Sequence, residues 1–223
     1  MSESTITKNT FKLLRELSKN NNREWYAEHK SEFKQQVQEP FAALLETITA
    51  KLKRSANPLR GSKKTMFRIH RDVRFSKDKR PYKENVAGLL TPSGTKDESE
   101  GLIYVHLEKD GGFIATGCYM TPTPVLNQVR DMMINETKNF QTAVRRAEKS
   151  GFQFDEGNPV KTMPRGYADH TDHPLASFIR MRNIIVSDKI TKDHWIDGSV
   201  VQRVTELNRA ALPLNDFVFA AMR

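Results

Sequence analysis

The segment from Phe67 to Lys83, FRIHRDVRFSKDKRPYK, concentrates side chains that could bind an anion. From Arg60 to Lys83, ten Lys or Arg stand against two Asp, so this stretch has a net charge of +8 out of the formal net charge of +9 of the chain. Arg offers a planar fork for phosphate or carboxylate, and Lys adds a point charge. We therefore predict an anion-binding site with these members: Arg71, Arg74, Lys77, Lys79 and Lys83, supplemented by Arg23 and Arg165.

The position of Arg71 separates two interpretations of this segment. Strand-like alternation, with Phe67, Ile69, Val73 and Phe75 facing a core, would place Arg71 on the same inner face. A buried guanidinium needs a charged partner or several acceptors. Either Arg71 forms a structural ion pair with a nearby Asp and the remaining cations are solvated, or its side chain enters a cleft and binds a ligand.

Three residues are candidates for acid–base chemistry, should the protein be an enzyme. Asp72 and Asp78 lie within the basic segment, and His106 lies on a predicted strand beside Tyr104. A His titrates close to neutral pH and is the commonest general base, although a His in a sheet is more often structural. The sequence does not distinguish among reaction types.

Other polar groups carry weaker signals. Arg23 precedes Trp25 at a predicted helix start, where the helix dipole favours anions and a cation gains nothing locally. DHTDH, residues 169–173, contains four residues of metal-ligand type, but no further Cys or His cluster completes a known spacing, so we predict a polar loop and no metal. GSKKT, residues 61–65, lacks the first glycine of a phosphate-binding loop, and no cofactor is predicted.

Two alternatives to an anionic small-molecule ligand remain open. A local excess of cations interleaved with aromatic residues also suits nucleic acid, although no known nucleic-acid-binding module is recognisable. The third alternative is a protein-interaction role in which residues 60–83 bind an acidic partner.

Composition indicates a folded chain of one domain, residues 1–223, with 37% apolar and 28% charged residues. Cys118 is the single cysteine, which excludes an internal disulfide and a Cys-rich zinc site. The N-terminus has no apolar signal region, and no apolar run approaches the roughly 18 residues of a membrane span. We therefore expect a cytoplasmic protein without a membrane partner.

Periodicity predicts helices at both ends of the chain and strands between them. Helices are expected over 9–17, 122–135, 137–149, 197–209 and 214–222. A further helix is expected from Asn21 onward, with a capping box formed by Asn21 and Glu24 and a kink or break at Pro40. Strands are expected over 66–71, 86–90, 102–108, 112–119 and 182–186, with a KDGG hairpin between the third and the fourth. The pattern is typical of an α+β fold with a mostly antiparallel central sheet flanked by N- and C-terminal helices.

Four stretches occur in an order that resembles a known family. They are NNNREWYAEHK (20–30), FRIHRDVRFSKDKRPYK (67–83), YVHLEKDGGFIATGCYMTP (104–122) and PRGY (164–167). Together they resemble the uncharacterised family called domain of unknown function 2461, over about residues 11–222. The resemblance implies an α+β fold and marks the same basic segment, but it implies no reaction.

Overall fold

The middle of the chain forms a five-stranded sheet in the computed structural model, which describes residues 6–97, 101–154 and 159–222. The strands lie in the order β1-β2-β3-β5-β4, and β1–β2 and β4–β5 pair antiparallel. Their bounds are β1 Asn85–Leu90, β2 Ile103–Glu108, β3 Gly111–Cys118, β4 Gln153–Phe154 and β5 Ile184–Ile190. The predicted α+β class with its antiparallel sheet is confirmed.

Helices precede and follow the sheet. They are α1 Lys8–Lys19, α2 Arg23–Phe33, α3 Glu39–Leu52, α4 Thr123–Asn135, α5 Thr137–Lys149, α6 Ala176–Ile179, α7 Lys192–Ile196 and α8 Val200–Ala220. Short 3₁₀ turns occupy Lys63–Thr65 and Ala168–His170. In the part of the chain that the structure describes, no helix combines the length and the apolar character that a membrane crossing requires.

The chain packs as two compact units built from separate stretches. The first unit contains Met1–Glu98, Leu102–Ile114 and Lys189–Thr205, and the second contains Ser99–Gly101, Ala115–Asp188 and Glu206–Arg223. The prediction of one domain over residues 1–223 stays a prediction.

The core of the first unit lies between helices α1 and α3 and one face of β1 and β2. Alternate strand residues such as Val86, Val105 and Leu107 point into this core. Gly88 allows the helix to come close, because a Cβ there would lie 2.8 Å from Leu45 Cδ1. The fully buried Trp195 of α7 lies in the same core. One face of β1 and β2 is thereby committed to packing, which leaves the opposite face for other contacts.

The second predicted helix is split into α2 and α3 near Pro40, as expected, although the chain between them stays helical. The preceding turn, Lys34–Gln38, widens into a π-helical turn before α3 begins. Proline has no N–H, so it cannot bond the carbonyl of Gln36 four residues earlier. The hydroxyl of the buried Thr10 donates to that carbonyl at 2.7 Å instead. The helix therefore continues past Pro40 with its free acceptor satisfied.

The C-terminal helix corrects a prediction. Separate helices were expected over 197–209 and 214–222, but α8 runs continuously from Val200 to Ala220 with Pro213 inside it. Pro213 frees the carbonyl of Arg209, and Arg146 Nη2 of α5 donates to that carbonyl at 3.2 Å. A tertiary hydrogen bond thus satisfies the group that the proline leaves free, as Thr10 does at Pro40.

Candidate anion-binding site

The basic segment folds as an irregular two-armed loop beside β1. Lys83 N donates to Ile69 O at 2.8 Å, and Arg71 N donates to Pro81 O at 2.9 Å. The strand predicted over Met66–Arg71 is wrong, because this stretch forms only isolated bridges, Met66 to Gly88 and His70 to Tyr82. Pro81 lacks the N–H that a continuing ladder would require of the second arm.

Ion pairs hold the tip of this loop. Arg71 pairs with Asp78 and Arg74 with Asp72, while Arg80 pairs with both Asp78 and Glu84. The Arg71 side chain is 27% exposed, so its guanidinium is half-buried in this network. The structural ion pair, which was one of the two interpretations for Arg71, is therefore present. That Arg71 and Arg74 also bind an anion stays a prediction.

The two aspartates of the tip act as acceptors for these arginines. Hydrogen bonds from Arg80 and then Arg71 hold the pKa of Asp78 well below its usual range, and the hydrogen bond from Arg74 lowers the pKa of Asp72. A carboxylate with a depressed pKa is ionised at neutral pH and is a weak base. Their acid–base role stays a prediction, and the geometry gives both a structural role.

The remaining residues of the tip point to solvent. Strand-like alternation would place Phe75 on a core face, but this residue is 96% exposed, because the alternation does not continue past Arg71. Lys77 is exposed, and Lys79 Nζ donates to Val73 O at 3.0 Å across the tip. In the described part of the chain, the cations of the segment without an ion pair are therefore its lysines and Arg68, whose charge still contributes to lowering the pKa of Asp72.

The sheet face opposite the core carries a group of rings. The β1–β2 register pairs Ala87 with His106 and Leu89 with Tyr104, which places both rings on this face. His106 stacks on Phe113 with ring centroids 4.6 Å apart. Phe67 of the loop lies 6.0 Å from Tyr104, centroid to centroid. We call these four rings the aromatic face: Phe67, Tyr104, His106 and Phe113.

His106 is held in one orientation within the aromatic face. Its Nδ1 lies 3.1 Å from Asn85 Nδ2 and 2.9 Å from Tyr104 Oη, and its Nε2 lies 3.7 Å from Glu108 Oε2. Because the amide nitrogen of Asn85 can only donate, Nδ1 accepts and Nε2 carries the proton. Burial lowers the pKa of His106, and Glu108 partly opposes that effect. The imidazole is therefore neutral at pH 7.

Lys83 brings a cation to the edge of the aromatic face. Its Nζ lies 5.2 Å from the centroid of the Phe67 ring. Burial, and then the charge of Arg68, lower the pKa of Lys83. Within residues 6–97, 101–154 and 159–222, no carboxylate forms an ion pair with either Lys83 or Arg68. An anionic group beside Phe67 would relieve the repulsion between these two cations.

Asn21 connects helix α2 to the basic loop. The predicted capping box is wrong, because α2 begins at Arg23 and Asn22 Oδ1 accepts from Trp25 N at 2.8 Å. Asn21 instead accepts from Tyr82 N at 3.1 Å and donates through Nδ2 to Tyr82 O at 3.0 Å. One amide side chain thus fixes the backbone next to Lys83.

Asn21→Ala is expected to loosen the loop around Lys83. The change removes two part-buried hydrogen bonds, which together contribute about 1–2 kcal/mol to the free energy of unfolding. Asn22→Ala, which removes the helix cap, costs about 1 kcal/mol and serves as the control. Amide hydrogen exchange at Tyr82 should accelerate much more in Asn21→Ala. Equal acceleration in both variants would show that Asn21 does not hold the loop.

The supplementary cations lie apart from Lys83 in the chain. Arg23 is exposed in the first turn of α2, next to the half-buried Trp25, whose ring stacks on His29 with centroids 4.2 Å apart. Arg165 is exposed in the second unit, in the turn closed by Tyr167 N donating to Pro164 O. Their part in anion binding stays a prediction.

His173, one of the two histidines of DHTDH, has hydrogen-bond partners within the protein. His173 Nδ1 accepts from Leu175 N at 3.1 Å, and its Nε2 lies 3.2 Å from Thr137 Oγ1. Among the residues described, no three His, Cys, Asp or Glu side chains come together as a metal site. These hydrogen bonds give His173 a structural role.

Several residues were not predicted from the sequence. Phe67 was considered only as a residue facing a core, and neither Phe113 nor Asn85 was selected. Continuing the alternation through the predicted hairpin would have placed Phe113 on the side of Tyr104 and His106. Arg130, which is 4% exposed and donates to backbone carbonyls of the second unit, was not predicted either. No local pattern distinguishes a buried Arg on a helix from a surface one.

Comparison with known proteins identifies a family and nothing beyond it. A family described as "Conserved hypothetical protein (DUF2461)" matches residues 9–217, nearly the whole chain. This match confirms the resemblance that the four stretches carry. Neither a curated protein nor a solved structure matches the chain.

Proposed function

We propose, from the premise that this chain belongs to the DUF2461 family of conserved hypothetical proteins, that its first unit binds an anionic small ligand with a planar ring. Lys83 and Arg68 would bind the anionic group, and the aromatic face would bind the ring. A nucleotide or another phosphorylated aromatic compound has this combination of groups.

The position of Lys83 carries the proposal. Its ammonium lies over Phe67, near a second cation and without a carboxylate partner in the described part of the chain. Partial burial of a cation costs free energy that only an opposite charge or several acceptors offset. The Asp and Glu residues of the neighbouring tip already pair with arginines. An external anion is therefore the group that this position suits.

The aromatic face supports the second half of the proposal. Tyr104, His106 and Phe113 are each half-buried, so they pack against one another and still present surface. Stacking of a ring on an aromatic side chain contributes about 1–3 kcal/mol per base in nucleic-acid complexes. The neutral His106, with its proton at Nε2, adds one hydrogen-bond donor at the same face. The ring of the ligand would then contact the aromatic face while its anionic group contacts the neighbouring Lys83.

Lys83→Met is expected to weaken binding of 5′-AMP at least tenfold. The change removes the cation while retaining most of the apolar stem, and a charged hydrogen bond contributes about 1.5–3 kcal/mol. Isothermal titration calorimetry at two salt concentrations measures the affinity. Lys30→Met, which removes an exposed lysine of α2 in the same unit, should leave it unchanged.

A second variant tests the contribution of ring stacking separately from that of the charge. Phe113→Leu should weaken binding of 5′-AMP but leave binding of inorganic phosphate unchanged, because phosphate has no ring to stack. The absence of 5′-AMP binding to the wild type at millimolar concentration would overturn the proposal. So would an equal loss in Lys83→Met and Lys30→Met.

Single-stranded nucleic acid is the second candidate, because cations beside an aromatic face also suit a strand of stacked bases. A labelled single-stranded RNA distinguishes the two. Tight RNA binding that falls steeply with salt, together with weak 5′-AMP binding, would favour nucleic acid. Binding of neither, with capture of an acidic peptide, would favour the protein-interaction role.

A further inference from the structure

A second concentration of cations lines a surface groove in the second unit. Helices α5 and α8 flank this open groove of about 450 Å³, which we call the cationic cavity. Four cationic side chains line it, together with two hydroxyls and one small apolar residue: Arg145, Arg146, Lys149 and Arg209, with Thr142, Ser150 and Ala210. Among the residues that the structure describes, no acidic side chain lines this cavity.

Helical spacing explains how α5 contributes so many of these groups. Thr142, Arg145 and Lys149 follow one another at intervals of three and four residues, so they lie along one stripe of the helix. The opposite stripe of α5 is buried through Phe140, Ala143, Val144 and Ala147. Burial of the apolar stripe therefore orients the cationic stripe toward the cavity.

The cations of this cavity have no carboxylate partners. In the part of the chain that the structure describes, no ion pair involves Arg145, Arg146, Lys149 or Arg209. Arg145 Nη2 donates only to Thr142 Oγ1, at 3.3 Å. Like charges at such spacing on a helix repel one another. Binding of an anion would relieve this repulsion.

A comparable groove in the first unit shows the contrast. A space of about 500 Å³ between α1 and α7 is also lined by lysines and Arg15, but Glu16 and Asp193 line it as well. Asp110 accepts from Arg15 at 3.0 Å and from Lys192 at 3.1 Å. Hydrogen bonds from Lys192 and Arg15 also lower the pKa of Asp110. Lys12 also pairs with Glu16, so three of the five cations of that groove have a carboxylate partner, whereas none of the four in the cavity of the second unit has one in the described part of the chain.

Structural roles account for part of the cationic group and not for the rest. Arg146 bonds the carbonyl that Pro213 frees, and Lys149 lies in the last turn of α5, where the helix dipole favours a cation. Neither reason applies to Arg209, which is exposed well inside α8, or to Arg145. Two guanidinium groups thus remain with several free donors each.

We propose that this cavity binds a small organic molecule with two or more phosphate groups. Guanidinium forks match phosphate oxygens in pairs, and four cations match the charge of a diphosphate. The volume lies in the range of roughly 300–1,000 Å³ typical of small-ligand sites, so it holds more than the phosphate groups. This site belongs to the second unit and does not depend on Lys83 of the first.

Inorganic pyrophosphate, the charged part of such a ligand, tests the proposal by isothermal titration calorimetry in physiological salt. The wild type should bind it with one-to-one stoichiometry at Arg145 and Arg209. The variant Arg145→Gln/Arg209→Gln should bind it at least tenfold more weakly. Both residues are exposed, and Arg146 keeps its bond to the α8 backbone, so the variant should fold normally.

A matched control removes the same charge elsewhere in the second unit. Lys138→Gln/Lys161→Gln changes two exposed lysines outside the cavity and should bind pyrophosphate like the wild type. An equal loss in both double variants would show a general charge effect and overturn the proposal. Loss in Lys83→Met but not in Arg145→Gln/Arg209→Gln would place pyrophosphate in the first unit and overturn it too.

Competition with single-stranded RNA tests whether the cavity is instead part of a nucleic-acid-binding surface. RNA that competes with pyrophosphate, and binds more tightly than pyrophosphate in a salt-dependent manner, would identify the cavity as part of a nucleic-acid surface instead. RNA that leaves pyrophosphate binding unchanged would support the small-molecule site.

Discussion

Arg130→Met is expected to lower the free energy of unfolding by about 3 kcal/mol, because it leaves two buried backbone carbonyls without donors. Arg130 Nε donates to Ile179 O at 2.8 Å, and its Nη2 donates to Met181 O at 3.0 Å. Its Nη1 donates to Asn127 Oδ1 at 2.7 Å. One side chain of α4 therefore fixes the chain that leads into β5.

The cost of burying the Arg130 charge favours the Met variant, but this effect is smaller than the loss of the hydrogen bonds. Burial lowers the pKa of Arg130, so the folded state holds the cation at a cost. Replacing a buried charge by an apolar residue can be neutral when its partners are replaced as well. Here the partners are backbone carbonyls that remain in place. Loss of their hydrogen bonds therefore outweighs the gain from removing the charge.

Thermal and urea unfolding measure the effect. For a chain of this length, a loss of about 3 kcal/mol lowers Tm by roughly 6–12 °C. Arg182→Met, a change at an exposed arginine of the same unit, should leave both values near those of the wild type. A stability of Arg130→Met equal to that of Arg182→Met would mean that water or rearranged backbone satisfies the two carbonyls.

Regular helices with a strong apolar stripe were predictable from the sequence. The prediction over 137–149 coincides with α5, and the prediction over 122–135 differs from α4 by one residue. Both helices bury one stripe and expose the other, so periodicity alone determines them. The β2–β3 hairpin was predictable for a similar reason, because alternation continues on both sides of the turn.

Prolines account for two wrong predictions. At one proline a helix continues where an end was predicted, and at the other a predicted strand does not form. Pro213 predicts a helix end, yet α8 continues because Arg146 of another helix bonds the freed carbonyl. Pro81 interrupts the pairing of the stretch after Met66, where alternation predicts a strand. Whether the helix or the strand forms depends in each case on a residue elsewhere in the chain: on Arg146 for α8, and on Pro81 for the stretch after Met66. A pattern read within one segment does not include that residue.

The candidate site was likewise predictable from the sequence only in part. Charge density alone identified Lys83 and the tip cations, but it did not separate cations with partners from cations without them. That distinction requires the side-chain geometry, in which the tip acids pair with Arg71, Arg74 and Arg80. The aromatic face depends on strand register, and the cationic cavity of α5 and α8 depends on two helices far apart in the chain.

Gly117→Ala is expected to be one of the most destabilising single-methyl changes in the second unit, lowering the free energy of unfolding by about 3 kcal/mol through backbone strain and overpacking together. Gly117 of β3 has a φ of +125°, and a Cβ there would lie 2.1 Å from the carbonyl oxygen of Ile184 in β5. Real Cβ atoms essentially never come within 3.0 Å of such an atom. Adding the methyl group therefore requires the two strands to separate locally, with loss of hydrogen bonds between them.

Gly166→Ala isolates the backbone contribution to this effect. Gly166 also has a positive φ, +91°, but a Cβ there would meet no atom within 4 Å. Its substitution should cost only about 1–2 kcal/mol, the cost of placing an L-residue in a left-handed conformation. Urea unfolding of the two variants gives the difference directly. A difference near zero would mean that β3 and β5 shift apart at little cost, and that the close approach at Gly117 does not constrain the sheet.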